Sequence, residues 1–252
     1  MTKKNIDIDQ IAKDVAEQVR KDFLDDLVEV SESKLIDDAV AASVSSLGEA
    51  YVPQNKSFAM TTDYLSEPSK KDHEALYRKE VSSLTRVSAE LDGTNKIDVD
   101  SNHSGFRSVK KDEITLLNAV YLHELYFANC FDPNSELFLD SLTYTRIAAD
   151  WGTFDAWMAE FEACALASRS GWVVCGYSMY LKKLINVFID GHDSSVLCGL
   201  VPVIVIDMWE HAFQRDYGND KKSYLTSMMR ELDWDVIEDR ITRVDALKKV
   251  MG

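Results

Sequence analysis

The stretch Leu200–His211, LVPVIVIDMWEH, decides how the rest of the chain is interpreted. It opens with an apolar, β-branched run, typical of a buried strand, that ends at Ile206. Asp207 follows directly, and an ionised carboxylate there costs free energy unless it is paired or bound to a metal. His211 comes four residues later, so the chain can aim both side chains at one point as it leaves the sheet. Imidazole and carboxylate together suit iron or manganese, but the pair alone is also compatible with a paired structural carboxylate.

The segments around this strand predict the fold class. Two more β-rich runs precede it, at Gly171–Tyr177 and Leu184–Ile189, and the helical pattern of Phe154–Ala167 comes before them. Helical patterns return after the strand, at Tyr224–Leu232 and Asp235–Val250. Helix, three strands and then helix is an α+β order, since the strands follow one another without intervening helices.

The middle of the chain predicts an antiparallel helical hairpin. One helix runs from Pro68 to Leu91 and a second from Lys111 to Asn129, with a polar loop over Thr94–Arg107. We therefore expect three parts: a helical N-terminal extension (1–55), a helical hairpin domain (56–134) and a C-terminal α/β domain (135–252).

The N-terminal extension carries an apolar stripe. Ile8, Ile11, Val15 and Val19 recur at helical spacing, as in an amphipathic helix. The stripe is consistent with a helical pair that docks on its own body or with an arm for assembly or partner binding. The extension holds 12 acidic and 6 basic residues.

Charge and motifs exclude several classes of function. Acidic residues outnumber basic ones 43 to 28, giving a net charge of −15, which excludes a general electrostatic grip on nucleic acid or an anionic membrane. The longest apolar run is too short for a bilayer span, and no secretory signal follows the first lysines. We expect a cytoplasmic protein. The sequence contains no P-loop, G-x-G-x-x-G or G-x-S-x-G motif.

Several segments resemble one family. The residues DMWEHA from Asp207 resemble the D-x-W-E-H-A metal-ligand signature of the iron/manganese superoxide dismutases. The resemblance spans about Pro68–Arg240 and includes further motifs: WGTFDAW from Trp151, GWVV from Gly171, DWD from Asp233, LHELYFAN from Leu122 and, in the style of one bacterial branch, HEALY from His73. It implies an N-terminal helical hairpin packed on an α/β domain with a three-stranded antiparallel sheet.

The resemblance also implies a site and an activity. The implied metal ligands are His73, His123, Asp207 and His211. They would hold one Fe or Mn ion that cycles while superoxide becomes dioxygen and hydrogen peroxide, an antioxidant oxidoreductase activity. The implied neighbours are His192, which hydrogen-bonds the metal-bound solvent, and Trp172 and Trp209, which line the pocket. Glu210 would reach His211 of the other subunit in a homodimer or a higher homo-oligomer.

The sequence departs from the family at the pocket mouth, where Glu80 replaces a gateway tyrosine. Its carboxylate would repel superoxide and compete for the metal, or would pair with Arg78 or Lys79 and point away. A second alignment puts Leu76 rather than His73 at the first ligand position. The alternative function is therefore a non-catalytic structural or interaction protein that uses the N-terminal helices for assembly.

Overall fold

The computed structural model describes residues 62–194 and 196–251. The predicted extension over residues 1–55 lies outside the described residues. Within those ranges the chain forms seven helices and one three-stranded sheet, which confirms the α+β class. None of these helices is both long and apolar enough to cross a membrane. In chain order the elements are α1 (Glu67–Gly93), α2 (Gly105–Asn129), α3 (Leu142–Trp151), α4 (Phe154–Ala167), β1 (Trp172–Ser178), β2 (Lys183–Ile189), β3 (Leu200–Asp207), α5 (Glu210–Tyr217), α6 (Lys221–Arg230) and α7 (Trp234–Met251).

Helices α1 and α2 form the predicted hairpin. The buried face of α1 includes His73, Tyr77, Val81 and Leu84, which recur every three or four residues and face α2. Helix α2 begins at Gly105, inside the stretch that we predicted as loop. The reason is local, because the hydroxyl of Ser104 accepts a hydrogen bond from the third residue of the helix and caps it.

The sheet has the order β2-β1-β3, and both pairs of strands are antiparallel. Every residue of β1 is buried, as expected for a central strand covered on both faces. Helix α2 packs on β3, and α4 packs on β1 and β2. The register places Trp172 opposite Asp207, so the aromatic start of β1 lies beside the carboxylate that ends β3.

Helices α3 and α5 are short, and we did not predict them from sequence. The first two N–H groups of α3, at Leu142 and Thr143, each donate to the carboxylate of Glu238 on α7, at 2.8 Å. A carboxylate at a helix N-terminus satisfies free N–H groups and complements the helix dipole. Glu238 is almost a hundred residues away, so the local sequence carries no signal for this contact; the one local signal is Ser141, whose hydroxyl accepts from the N–H of Tyr144 at 3.1 Å.

The backbone conformation and close packing at position 171, just before β1, require a glycine. Its φ of +141° is one that L side chains rarely adopt, and a Cβ there would lie 1.9 Å from the carbonyl oxygen of Ile189. We expect Gly171→Ala to lower the free energy of unfolding by about 3 kcal/mol, through backbone strain plus a clash that cannot relax. The matched control is Gly152→Ala, where φ is +84° and nothing lies within 4 Å of the new Cβ. There the cost should be about 1–2 kcal/mol, from strain alone. Urea unfolding of both variants measures the difference, and equal losses would contradict the prediction.

Candidate metal centre

Four elements each contribute one side chain to a buried cluster. His73 comes from α1, His123 from α2, Asp207 from the last position of β3 and His211 from the first turn of α5. The side chains of the first three are at most 2% exposed, whereas that of His211 is 32% exposed. Asp207 and His211 are close because the chain leaves the sheet and begins a helix within three residues. His73 and His123 lie in the cluster because the hairpin that carries them packs against the sheet.

The three imidazoles converge on one carboxylate oxygen. The Nε2 atoms of His73 and His211 each lie 3.1 Å from Asp207 Oδ2, and Nε2 of His123 lies 3.7 Å from it. All four candidate ligand atoms lie within 4.8 Å of one another. Two atoms bonded at about 2.1 Å to a common ion, at angles of about 90–120°, are about 3.0–3.6 Å apart. The two 3.1 Å distances fall in this range and the 3.7 Å distance lies just above it, so the cluster is close to the spacing of a shared metal ion.

The hydrogen-bonding pattern also leaves metal-facing atoms available. Nε2 of His73 and Nε2 of His123 are buried without a hydrogen-bond partner among the described residues, and such atoms cost free energy unless something binds them. Asp207 Oδ1 accepts from the backbone N–H of Trp209 at 2.8 Å, which orients Oδ2 toward the histidines. The four residues thus fit an iron or manganese ion by their donor set as well as by their spacing.

Burial and the neighbouring charges set the protonation states. Burial is the main reason that the pKa of His73 falls to about 4, so this imidazole is neutral at pH 7, as a ligand must be. Burial alone would raise the pKa of Asp207, but His211 and His73 together hold it well below its usual value. For His123, burial opposes the charge, but the Glu80 and Asp207 carboxylates raise its pKa above the usual value.

The cluster has a wall of aromatic rings and one further histidine. Trp172 Nε1 donates to His192 Nε2 at 2.8 Å, so neutral His192 carries its proton on Nδ1. The Trp172 ring packs edge-on against His123, at 4.9 Å between centroids, and the ring of Tyr126 stacks on His73 at 5.2 Å. The ring of Trp209 lies 5.6 Å from that of His192. The rings of Trp172 and Tyr126, both fully buried, thus pack directly against two of the cluster's histidines.

The structure brings most of the predicted site residues together. His73, and not the half-buried Leu76, belongs to the cluster. Glu80 lies beside His123, with Oε2 3.0 Å from Nδ1, whereas Arg78 is paired with Glu74 on its own helix. Glu210 is exposed, and its Oε1 accepts from the Ser170 hydroxyl at 2.9 Å.

Two supporting residues escaped the sequence reasoning. Asn118 on α2 donates to the backbone oxygen of His192 at 2.7 Å and so fixes the loop that carries this histidine. The hydroxyl of Tyr224 on α6 lies 3.1 Å from that of Tyr126, and both rings are fully buried. Each contact joins residues more than seventy positions apart, so no local pattern could have revealed it.

Comparison with known proteins agrees with the resemblance seen in the sequence motifs. The profile of the iron/manganese superoxide dismutases, C-terminal domain, matches residues 140–240. The chain is 32% identical over 173 residues to "Superoxide dismutase [Fe]" of Aquifex aeolicus, covering 68% of this chain and 80% of that protein. It belongs to the iron/manganese superoxide dismutase family.

Other relatives carry names with either metal. The chain is 34% identical over 158 residues to "Superoxide dismutase [Fe]" of Cupriavidus metallidurans, covering 62% of this chain and 76% of that one. It is 38% identical over 117 residues to "Superoxide dismutase [Mn] 2" of Halobacterium salinarum, covering 46% and 58%. Membership of the iron/manganese superoxide dismutase family and the buried histidine–aspartate cluster together support an Fe or Mn cofactor.

Proposed function

We propose that this protein is a superoxide dismutase that holds one iron or manganese ion in each subunit. The observation that carries the proposal is the convergence of three imidazole Nε2 atoms on Oδ2 of Asp207. Two superoxide ions and two protons give dioxygen and hydrogen peroxide, so the reaction needs one electron carrier and a supply of protons. When bound, the ion supplies the reversible one-electron change that both half-reactions require.

The residues of the chain have three tasks in this proposal. His73, His123, Asp207 and His211 would hold the ion, with a single carboxylate charge among neutral imidazoles. His192 Nδ1–H would serve as the hydrogen-bond donor to bound solvent, because Nε2 is already occupied by Trp172. The rings around the cluster keep bulk water out, so that a hydrogen bond from His192 acts in a low dielectric and strongly affects the site.

A homodimer belongs to the same proposal. His211 is the most exposed of the four proposed ligands, and Glu210 beside it lies at the surface. A second subunit that covered this edge would complete the burial of the site. The alternative of a non-catalytic protein has no supporting observation among the described residues, since the proposed ligand set is complete.

The decisive experiment measures metal and activity in one preparation. We expect about one Fe or Mn per chain by elemental analysis, superoxide decay that depends on that metal, and a particle mass of two chains. Removing the metal with a chelator should abolish decay, and adding it back should restore decay. A metal-free protein that cannot be reconstituted would overturn the proposal.

Trp172→Phe tests the hydrogen bond to His192. The substitution keeps an aromatic ring but removes the donor to Nε2, so His192 is no longer held in one tautomer and orientation. We expect about a tenfold loss of superoxide decay per bound metal. The control is Trp157→Phe, an equally buried tryptophan outside the site that loses the same atoms from the core. If both variants lost the same activity per metal, packing and not the hydrogen bond would be responsible.

A further inference from the structure

Glu80 occupies a position that neither sequence interpretation anticipated. Its Oε2 atom is buried and lies 3.0 Å from Nδ1 of His123, and it has no hydrogen-bond partner among the described residues. It is therefore next to the nitrogen that faces away from the proposed metal. Its side chain is 17% exposed, so the carboxylate is largely shielded from solvent.

The neighbours of His123 fix its tautomer. Nδ1 lies 2.8 Å from the carbonyl oxygen of Ala119 and 3.0 Å from Glu80 Oε2. A carbonyl and a carboxylate can only accept, so Nδ1 must carry a proton. It donates this proton to the Ala119 carbonyl oxygen, and the Glu80 carboxylate lies close beside it. Nε2 then presents its lone pair toward Asp207, as a metal ligand requires.

We propose that Glu80 is a positioning residue that acts on the metal through His123, as the carboxylate of a carboxylate–histidine–metal arrangement. This inference deepens the proposed function and rests on it. A cation bound at Nε2 withdraws electrons from the ring and makes the Nδ1–H group more positive, which strengthens its electrostatic attraction to the Glu80 carboxylate 3.0 Å away. Thermodynamic linkage makes this coupling reciprocal. The free energy by which the bound cation strengthens the contact between Nδ1–H and Glu80 is the free energy by which Glu80 strengthens binding of the cation.

The charges near the cluster give the proposal a second consequence. Asp207 and Glu80 contribute two negative charges and the proposed ligand histidines contribute none, so the pair favours a trivalent over a divalent ion. Glu80 therefore lowers the reduction potential of the bound metal. It does so from behind His123, without occupying a position beside the ion.

The test is Glu80→Gln, which keeps the shape and removes the charge. We expect metal affinity, measured by competition with a chelator, to fall about 10–100-fold, and the reduction potential of the bound metal to rise. The control is Glu74→Gln, six residues earlier on α1, where the partly exposed carboxylate pairs with Arg78. That variant should keep the affinity and the potential of the unchanged protein.

Unchanged affinity and potential in a folded Glu80→Gln variant would overturn the proposal. So would faster superoxide decay with unchanged affinity, because it would mean that Glu80 acts as a barrier to the substrate. If Glu80→Gln failed to fold, Glu80→Asp would replace it, since it keeps the charge but withdraws it by one methylene. A wild-type protein that bound no iron or manganese would instead contradict the proposed function itself, so the two failures are distinguishable.

Discussion

Replacing Asp207 by Asn should remove the bound metal and abolish superoxide decay. The amide has the shape of the carboxylate but no charge, and Oδ2 is the atom on which all three Nε2 atoms converge. An ion would then be held by neutral groups only, in a buried site where it needs a compensating charge. We expect the metal affinity to fall more than about 100-fold, beyond the usual cost of losing a residue that only supports a ligand.

Elemental analysis and a superoxide decay assay on the same sample measure this effect. The control is Asp193→Asn, next to His192, where an exposed carboxylate pairs with Lys111 at 3.0 Å. This variant should keep its metal. The circular dichroism of both metal-free proteins checks that they fold. An Asp207→Asn protein with a full complement of metal would show that Asp207 is not a ligand.

The second large effect is expected at Arg240, which fastens α7 to the elements that hold the site. Its guanidinium donates to the carbonyl oxygen of Leu125 at 3.0 Å, to that of Val203 at 2.7 Å and to the side-chain oxygen of Asn129. Burial lowers the pKa of Arg240 to about 10, so the group stays charged at pH 7. One side chain thus joins α2, β3 and α7.

We expect Arg240→Met to lower the free energy of unfolding by about 3–5 kcal/mol. Methionine can fill the space, but three acceptors lose a charged donor in the interior, and each unpaired buried group is costly. The matched control is Arg243→Met on the same helix, where an exposed arginine pairs with Asp239. That change should cost less than about 0.5 kcal/mol. Urea unfolding compares them, and similar midpoints would contradict the prediction.

Weaker metal binding should accompany the instability of Arg240→Met. Leu125 and Asn129 follow His123 in the last two turns of α2, and Val203 lies four residues before Asp207 on β3. Loosening their common anchor should let the two proposed ligands move apart. Chelator competition in the absence of urea, at a temperature well below the thermal unfolding midpoint, separates this effect from global unfolding.

The elements that have clear local signals in the sequence were predictable from it. The strand that ends at Ile206 follows from its apolar, β-branched run, and the helix predicted over Pro68–Leu91 follows from the residues that begin and end it. The closeness of Asp207 and His211 is equally local, since a strand end and a first helical turn bring positions i and i+4 together. The resemblance to the iron/manganese superoxide dismutases then supplied the other two histidines.

Only the tertiary structure shows which residues far apart in the sequence are in contact. Two alignments to the family left His73 and Leu76 both open as the first ligand, and in the structure it is His73 that is buried in the cluster. Nothing local indicated that Glu80 would lie beside His123, that Glu238 would cap α3, or that Arg240 would join three elements. The spacing of apolar residues along the sequence determines which residues share one face of a helix or strand. Which segment packs against that face depends on the tertiary structure, and so does the geometry of the metal site.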